Sequence, residues 1–143
     1  MAEKFPGMRG HVIVCGFGIV GQKVVDVLVE SNVPFIIIDL DSKLGERIRE
    51  QGHKVIIGDA NLARTLRDAS IEGAEAIAIV MDNDAKNLFG VLTARDLNKN
   101  IFIATRANDD FVKEKLVEAG ADFIVMPQKV ASKEIVKELF KTE

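Results

Sequence analysis

The segment His11–Gly21 has the sequence HVIVCGFGIVG and gives the strongest structural signal in the chain. Its apolar run, Val12–Cys15, is typical of a buried β-strand, and the residues after Gly21 have the spacing of an amphipathic helix. Between the two lies the pattern G-x-G-x-x-G, made by Gly16, Gly18 and Gly21. A strand, a glycine-rich turn and a helix in this order are the context in which that pattern indicates a dinucleotide-binding loop.

Each of the three glycines has its own expected role. We expect Gly16 to make the tight turn, Gly18 to let a pyrophosphate approach the backbone, and Gly21 to let the helix pack closely. The N–H groups and the partial positive charge at the start of the helix attract phosphate oxygens. The segment therefore predicts a phosphate-binding loop; the alternative is a glycine turn that serves packing alone.

A second apolar run, 34–38, predicts the next strand and ends at Asp39, which lies 18 residues after Gly21. In dinucleotide-binding folds an acid about 20 residues beyond the glycines binds the ribose. A carboxylate there accepts both ribose hydroxyls and repels a 2′-phosphate, so we expect NAD or an adenosine nucleotide rather than NADP. The alternatives for Asp39 are a helix N-cap or a solvated strand end, although Asp41 is better placed as the cap.

Apolar runs and helical stretches alternate through the rest of the chain. The predicted strands are 12–15, 34–38, 54–57, 76–80, 101–104 and 123–126. The predicted helices are 20–28, 43–51, a short one within 62–69, 85–97, 109–119 and 130–140. Short β-branched runs are typical of parallel strands buried on both faces. Right-handed crossovers then predict an α/β, Rossmann-type doubly wound sheet of six strands in the order 3-2-1-4-5-6, followed by a C-terminal helix.

Composition limits the classes of protein that fit. The 143 residues suit one domain, and a net charge of −3 without a basic cluster argues against a nucleic-acid partner. No apolar run approaches the roughly 18 residues of a membrane span. The single Cys15 is expected to be a small buried hydrophobe in the first strand. We expect residues 1–10, interrupted by Pro6, Gly7 and Gly10, to be a linker or tail, and residues 11–143 to form the domain.

Ligands of open parallel sheets bind at the carboxyl ends of the strands. Besides the glycine loop and Asp39, the residues predicted there are Asp59, Ala60, Met81, Asp82 and Arg106. Arg106 is the only cation at a predicted strand end, so it is a candidate for a phosphate or carboxylate contact. The alternative is a salt bridge from Arg106 to Asp82 or Asp109. For Asp59 a binding role and a helix N-cap remain open, and for Asp84 a cap is favoured.

Residues for catalysis are missing from the predicted site. The only histidines, His11 and His53, begin the first and third strands and so lie at the opposite edge of the sheet. No nucleophilic triad and no metal-binding His/Cys spacing is present, and we expect no substrate domain. A nucleotide pocket without such groups predicts a sensor rather than an enzyme. The alternative is a small NAD-dependent oxidoreductase or a detached dehydrogenase cofactor domain.

Several segments together resemble the RCK (regulator of potassium conductance) or TrkA-N domain. They are 12–21, Asp39, 58–60, 82–88, 94–95 and 119–122. The resemblance covers about residues 9–139. It implies a cytoplasmic, ligand-sensing gating domain of a potassium channel or potassium transporter, held at the inner face of the cell membrane by its partner or by a pore domain. It also implies that NAD(H), or else ATP, ADP or AMP, binds, and that the domain forms homodimers and higher rings.

The residues that match the nucleotide contacts of the family are Gly16, Phe17, Gly18, Ile19, Val20, Asp39, Asp59, Ala60, Met81, Asp82 and Arg106, with Gly21 completing the glycine pattern. Some members bind calcium through acids after strand five. Here that stretch is Thr105-Arg106-Ala107, so no metal site is expected. Many members carry a second ligand-binding domain, and the sequence ends before one, so the chain resembles a fragment or a shorter channel type.

The helices give further expectations. The last helix has the apolar residues Val130, Ile135, Val136, Leu139 and Phe140. In the family such a helix crosses to a partner subunit, and the alternative is that it covers its own sheet. We expect Phe111, Leu116 and Val117 to point inward from the preceding helix. Phe89 and Val91 belong either to another assembly face or to the core.

Overall fold

The computed structural model describes residues 3–141 and contains one sheet of six parallel strands. The strands are β1 (Val12–Cys15), β2 (Phe35–Asp39), β3 (Val55–Ile57), β4 (Ala76–Ile79), β5 (Phe102–Arg106) and β6 (Phe123–Val125). The helices are α1 (Ile19–Glu30), α2 (Ser42–Glu50), α3 (Ala63–Asp68), α4 (Asp84–Leu97), α5 (Asp110–Ala119) and α6 (Pro127–Leu139), and a 3₁₀ turn spans Ile71–Gly73. The strand order β3-β2-β1-β4-β5-β6 confirms the predicted fold class.

Element boundaries agree with the sequence to within a few residues. The largest shift is at α6, which begins at Pro127 rather than at residue 130. Proline is favoured at the first position of a helix, because that position needs no N–H donor. The same proline that ends β6 therefore also begins α6.

Helices cover the two faces of the sheet unequally. On one face α1 and α2 pack over a small core that includes Val14, Val25 and Ile48. On the other face α3, α4 and α5 pack over a larger core. The strand register puts Phe102 and Phe123 on the same face as α1 and α2, and both are more than half exposed. An apolar strip of that face near the β6 edge is therefore open.

The segment before β1 packs on the domain. Phe5 N–H donates to the Asp68 carbonyl oxygen at 2.9 Å, and Ser70 Oγ donates to the Phe5 carbonyl oxygen at 2.5 Å. Gly10 N–H donates to the Gly73 carbonyl oxygen at 2.8 Å. From Phe5 onward the predicted linker or tail is thus bound to the corner after α3. Residues 1–2 of that segment, and residues 142–143 of the predicted domain, lie outside the described residues.

One expectation about a buried helix face is wrong, and so is the alternative given for the last helix. Phe111 and Val117 of α5 are 67% and 56% exposed, and only Leu116 of the three points inward. None of the residues of α6 is buried, so this helix does not cover its own sheet. Val91 of α4 is fully buried and belongs to the core, whereas Phe89 is exposed. Among residues 3–141, no helix combines the length and the apolar character needed to cross a bilayer.

Candidate nucleotide-binding cleft

A cleft of about 550 Å³ opens at the carboxyl ends of the strands, where the strand order reverses between β1 and β4. Ten of the twelve predicted site residues line it: Gly16, Phe17, Gly18, Ile19, Asp39, Asp59, Ala60, Met81, Asp82 and Arg106. The two others, Val20 and Gly21, are not among the lining residues. Val20 packs against the core under α1, and Gly21 lies directly behind the glycine loop. The fold therefore brings five separate strand ends to one place.

The glycine loop is shaped by contacts that leave no room for side chains at two of its three glycines. Gly16 has φ +102°, a conformation that side-chain-bearing residues rarely adopt, and a Cβ there would lie 3.0 Å from Met81 Cγ. A Cβ on Gly21 would overlap the Gly16 carbonyl oxygen. Gly18 differs, because a Cβ there would meet no atom within 4 Å. The space beside Gly18 is thus open at the point where a phosphate is expected.

Helix α1 begins at this open space. Gly18 is its N-cap, and no side chain among residues 3–141 caps it. The first turn of α1 contains no acidic residue either. Its N–H groups and the helix dipole therefore face the cleft without a competing carboxylate, which suits an anion.

Asp39 joins the end of β2 to the glycine loop. Its Oδ2 accepts the Phe17 N–H at 2.8 Å, and its Oδ1 accepts the Asp41 N–H at 2.9 Å. The N-cap of α2 is Asp41, whose side chain accepts the Leu44 N–H at 3.1 Å, so the cap alternative for Asp39 is wrong. Each carboxylate oxygen has two acceptor sites, and both oxygens can therefore still accept a ribose hydroxyl.

Asp59 shapes the loop after β3. Its Oδ1 accepts the Asn61 N–H at 2.9 Å, and this hydrogen bond closes an Asx-turn over residues 59–61. Helix α3 begins only at Ala63, with Leu62 as its N-cap, so Asp59 is not a helix cap. The turn holds Ala60 and the Asp59 side chain at the cleft wall.

Arg106 keeps its guanidinium available to the cleft. Within residues 3–141 it forms no ion pair, so the alternative salt bridge to Asp82 or Asp109 is absent. Its nearest polar partner is Asn108 Oδ1, 3.4 Å from Nη2, and its Nε is buried without a hydrogen-bond partner. A buried unpartnered donor is costly, so an anion in the cleft that draws out this side chain would relieve the cost.

The sequence prediction missed a second cation, Lys86, which lies in the first turn of α4 and also lines the cleft. The prediction concerned the strand ends alone, whereas Lys86 lies two residues into the following helix. The N-cap of α4 is Asn83, so the expectation that Asp84 caps this helix is wrong. Asp84 instead accepts the Asn108 N–H at 3.2 and 3.3 Å and so ties the loop after β5 to α4.

The groups outside the cleft have structural roles. His11 is fully buried, with Nε2 2.7 Å from the Ala69 carbonyl oxygen, and the His53 ring lies 5.3 Å from that of Phe35. Burial raises the pKa of Cys15 from 9.0 to about 12, so its thiol stays neutral at physiological pH. In the described part of the chain, no three His, Cys, Asp or Glu side chains are grouped to hold a metal ion.

The fold and the cleft together define a class: a Rossmann-type α/β domain with a glycine loop, an acid at the end of β2 and cations beyond β4. The model of the TrkA-N domain family matches residues 12–127, and the chain belongs to that family. It is 37% identical over 139 residues to potassium channel protein 1 of Methanocaldococcus jannaschii. That match covers 96% of this chain but only 42% of the channel protein.

Solved structures share the fold. The TrkA-N domain of the inner membrane protein ybaL from Escherichia coli superposes with a TM-score of 0.89 at 25% identity, covering 94% of this chain and 99% of that one. The GsuK channel bound to NAD has a TM-score of 0.78 at 25% identity, covering 85% of this chain and 22% of that channel. The same channel has also been solved bound to ADP.

Proposed function

We propose that this chain is a nucleotide-sensing regulatory domain of a potassium channel or potassium transporter, acting at the cytoplasmic face of the membrane. Its ligand is NAD(H) or an adenine nucleotide such as ATP, ADP or AMP. The observation that carries the proposal is the hydrogen bond of 2.8 Å between Phe17 N–H and Asp39, which holds a ribose-binding acid against an open glycine loop.

The cleft supports one orientation of the ligand. The phosphates lie beside Gly18 at the start of α1, and the ribose hydroxyls reach Asp39. The base then lies against the loop of Asp59 and Ala60. The other end of the ligand points toward Arg106 and Lys86, where a second phosphate finds positive charge.

Similarity to potassium channel proteins supports the part of the proposal that concerns potassium transport. The channel protein of M. jannaschii is related along nearly the whole of this chain, and the GsuK channel, which shares the fold, binds NAD and ADP. A ligand that contacts strand ends on both sides of the cleft stabilises the conformation of the domain in which those strand ends fit the ligand best. Regulation then requires binding alone, without turnover of the nucleotide.

We further propose that the domain acts as a homodimer, and in larger rings, through an exposed apolar surface. What we call the C-terminal apolar surface comprises two groups of apolar residues, Ile135, Val136 and Leu139 on α6 and Phe102 and Phe123 on the sheet; all five are about half exposed or more. Large apolar side chains that cluster on an exposed surface are typical of an interaction site. Because α6 does not cover the sheet of its own chain, it is available to cover that of a second copy.

Calorimetric titration with NADH, NAD, ATP, ADP and AMP tests nucleotide sensing. We expect saturable binding of at least one of them, and a loss of about tenfold or more in affinity for Asp39→Ala. Asp26→Ala, which removes the same charge from the exposed side of α1, is the matched control and should bind as the wild type does.

Potassium flux through the channel or transporter that carries this domain tests the regulatory role. Flux should respond to the nucleotide that binds, and Asp39→Ala should abolish the response. Binding without any effect on flux would contradict the proposal. Oxidation of NADH by the domain would instead support the oxidoreductase alternative.

A further inference from the structure

Asn87 is a buried polar residue in the part of α4 that faces the sheet. Its side chain is 1% exposed, and its neighbours on the inner side of the helix are Gly90, Val91 and Ala94. An amide is costly to bury unless its polar atoms are paired. The position therefore needs a hydrogen-bonding group, and the contacts of Asn87 show which groups it serves.

The Asn87 amide holds the backbone where β4 and β5 end. Its Oδ1 accepts the Met81 N–H at 2.9 Å, and its Nδ2 donates to the Met81 carbonyl oxygen at 2.8 Å. The same Nδ2 lies 3.4 Å from the Arg106 carbonyl oxygen. These backbone groups lie at or beyond the ends of the strand ladder, so a side chain replaces the strand partners that they lack.

Both residues held by Asn87 form the wall of the cleft opposite Asp39. Met81 lies so close to Gly16 that a Cβ on the glycine would come within 3.1 Å of the Met81 backbone nitrogen. Arg106 carries the buried Nε without a partner. One amide thus sets both the surface against which the glycine loop rests and the backbone that carries the arginine.

From these contacts we infer that Asn87 is a positioning residue for the ligand: it fixes Met81 and Arg106, and through them the phosphate-binding half of the cleft. This inference rests on the proposed nucleotide-binding function. Among residues 3–141, the hydrogen bonds of the Asn87 side chain go to Met81 and Arg106, and none goes to the adenosine half, built from Asp39 and the Asp59 loop. Loss of the amide should therefore weaken binding more for ligands that extend further past the first phosphate.

The test compares Asn87→Leu with Asn98→Leu. Asn98, at the C-terminal end of the same helix, also makes three hydrogen bonds to backbone groups: to the Ile71 carbonyl oxygen at 2.8 Å, and to the N–H groups of Asn100 and Ile101 at 2.9 and 3.1 Å. Asn98 lies near the amino ends of the strands, whereas the cleft lies at their carboxyl ends. The two variants remove the same group from the same helix, so they separate positioning from stability.

Calorimetry should show that Asn87→Leu binds ADP and NAD about tenfold or more weakly than the wild type does. Its loss of affinity for AMP should be at least about threefold smaller than its loss for ADP or NAD. Asn98→Leu should bind all three as the wild type does. Equal losses for AMP, ADP and NAD, or unchanged binding in folded Asn87→Leu, would overturn the inference.

Two further measurements test the inference if Asn87→Leu does not fold. Asn87→Ser, which is smaller and keeps a hydroxyl donor, should show the same order of losses. In the unmutated protein, the side-chain NH₂ resonances of Asn87 should shift on saturation with ADP while those of Asn98 do not; unshifted Asn87 resonances would overturn the inference. If the wild type binds no nucleotide at all, the proposed function itself is wrong.

Discussion

Gly18 and Gly21 look equivalent in the sequence pattern but meet different surroundings in the fold. A methyl group on Gly18 enters open space in the cleft, and the φ of −80° suits any residue. A methyl group on Gly21 overlaps the Gly16 carbonyl oxygen. We therefore expect the first glycine to serve the ligand, whereas the second serves the contact between α1 and the loop.

Substitution of each glycine by alanine should separate these roles. Gly18→Ala should cost about 1 kcal/mol or less in the free energy of unfolding, yet weaken nucleotide binding about tenfold or more. Gly21→Ala should cost about 3 kcal/mol or more, because a backbone atom has to move. Urea unfolding and calorimetry measure both quantities. Normal nucleotide affinity in Gly18→Ala would show that the ligand does not approach the loop there.

Asp39 and Arg106 show what the sequence can predict at this scale. The distance of Asp39 from the glycines was enough to place it at the cleft, because parallel strands end at one edge. The partners of Arg106, and the roles of Lys86 and Asn87, depend on how α4 packs against the ends of β4 and β5. That packing is a tertiary property that no local spacing encodes.

At the scale of elements, the contacts of Arg95 show the role of residues 119–122, which have the sequence A-G-A-D and precede β6. Its guanidinium donates to the carbonyl oxygens of Gly120 and Ile101, both at 2.8 Å, and pairs with Asp122 at 2.8 Å. Asp122 also accepts the Ile103 N–H at 2.8 Å. The segment therefore joins α4, α5 and β5, and its role is structural.

Arg95→Met should lower the free energy of unfolding by about 3 kcal/mol, because it leaves several carbonyl oxygens without a donor. Arg67→Met is the matched control, since it makes the same change on an exposed part of α3 and should cost less than about 0.5 kcal/mol. Thermal and urea unfolding measure the difference. Equal stabilities of the two variants would contradict this role.

The strands were predictable as elements because each is a short apolar run between glycine or polar turns. The inner faces of α5 and α6 were not. Phe111 and Val117 have the apolar character of core residues, yet both are exposed. Apolar periodicity shows that a face avoids water, but it does not distinguish the core of one chain from an interface with another.

At the scale of the whole molecule, the C-terminal apolar surface predicts self-association. Leu139, 71% exposed on α6, lies on the apolar side of the helix, and Lys137 lies on the polar side. Leu139→Asp should shift the domain from dimer toward monomer, because it places a charge in the proposed contact. Light scattering after size-exclusion chromatography measures the mass.

Lys137→Gln makes the same change of net charge on the polar side of α6 and should leave the dimer intact. A wild-type domain that stays monomeric at millimolar concentration would contradict the proposed dimer. A dimer unaffected by Leu139→Asp would place the interface on another surface.

The proposed function requires that an adenine nucleotide binds between the glycine loop and the ends of β2 to β5. Backbone amide resonances of the ¹⁵N-labelled domain, followed during titration with ADP and with NAD, test it most directly. We predict saturable shifts at 16–19, Asp39, 59–60 and Arg106, with His11 and His53 at the opposite edge unchanged. Saturating ligand that leaves the cleft resonances in place, or shifts only residues outside the cleft, would contradict it.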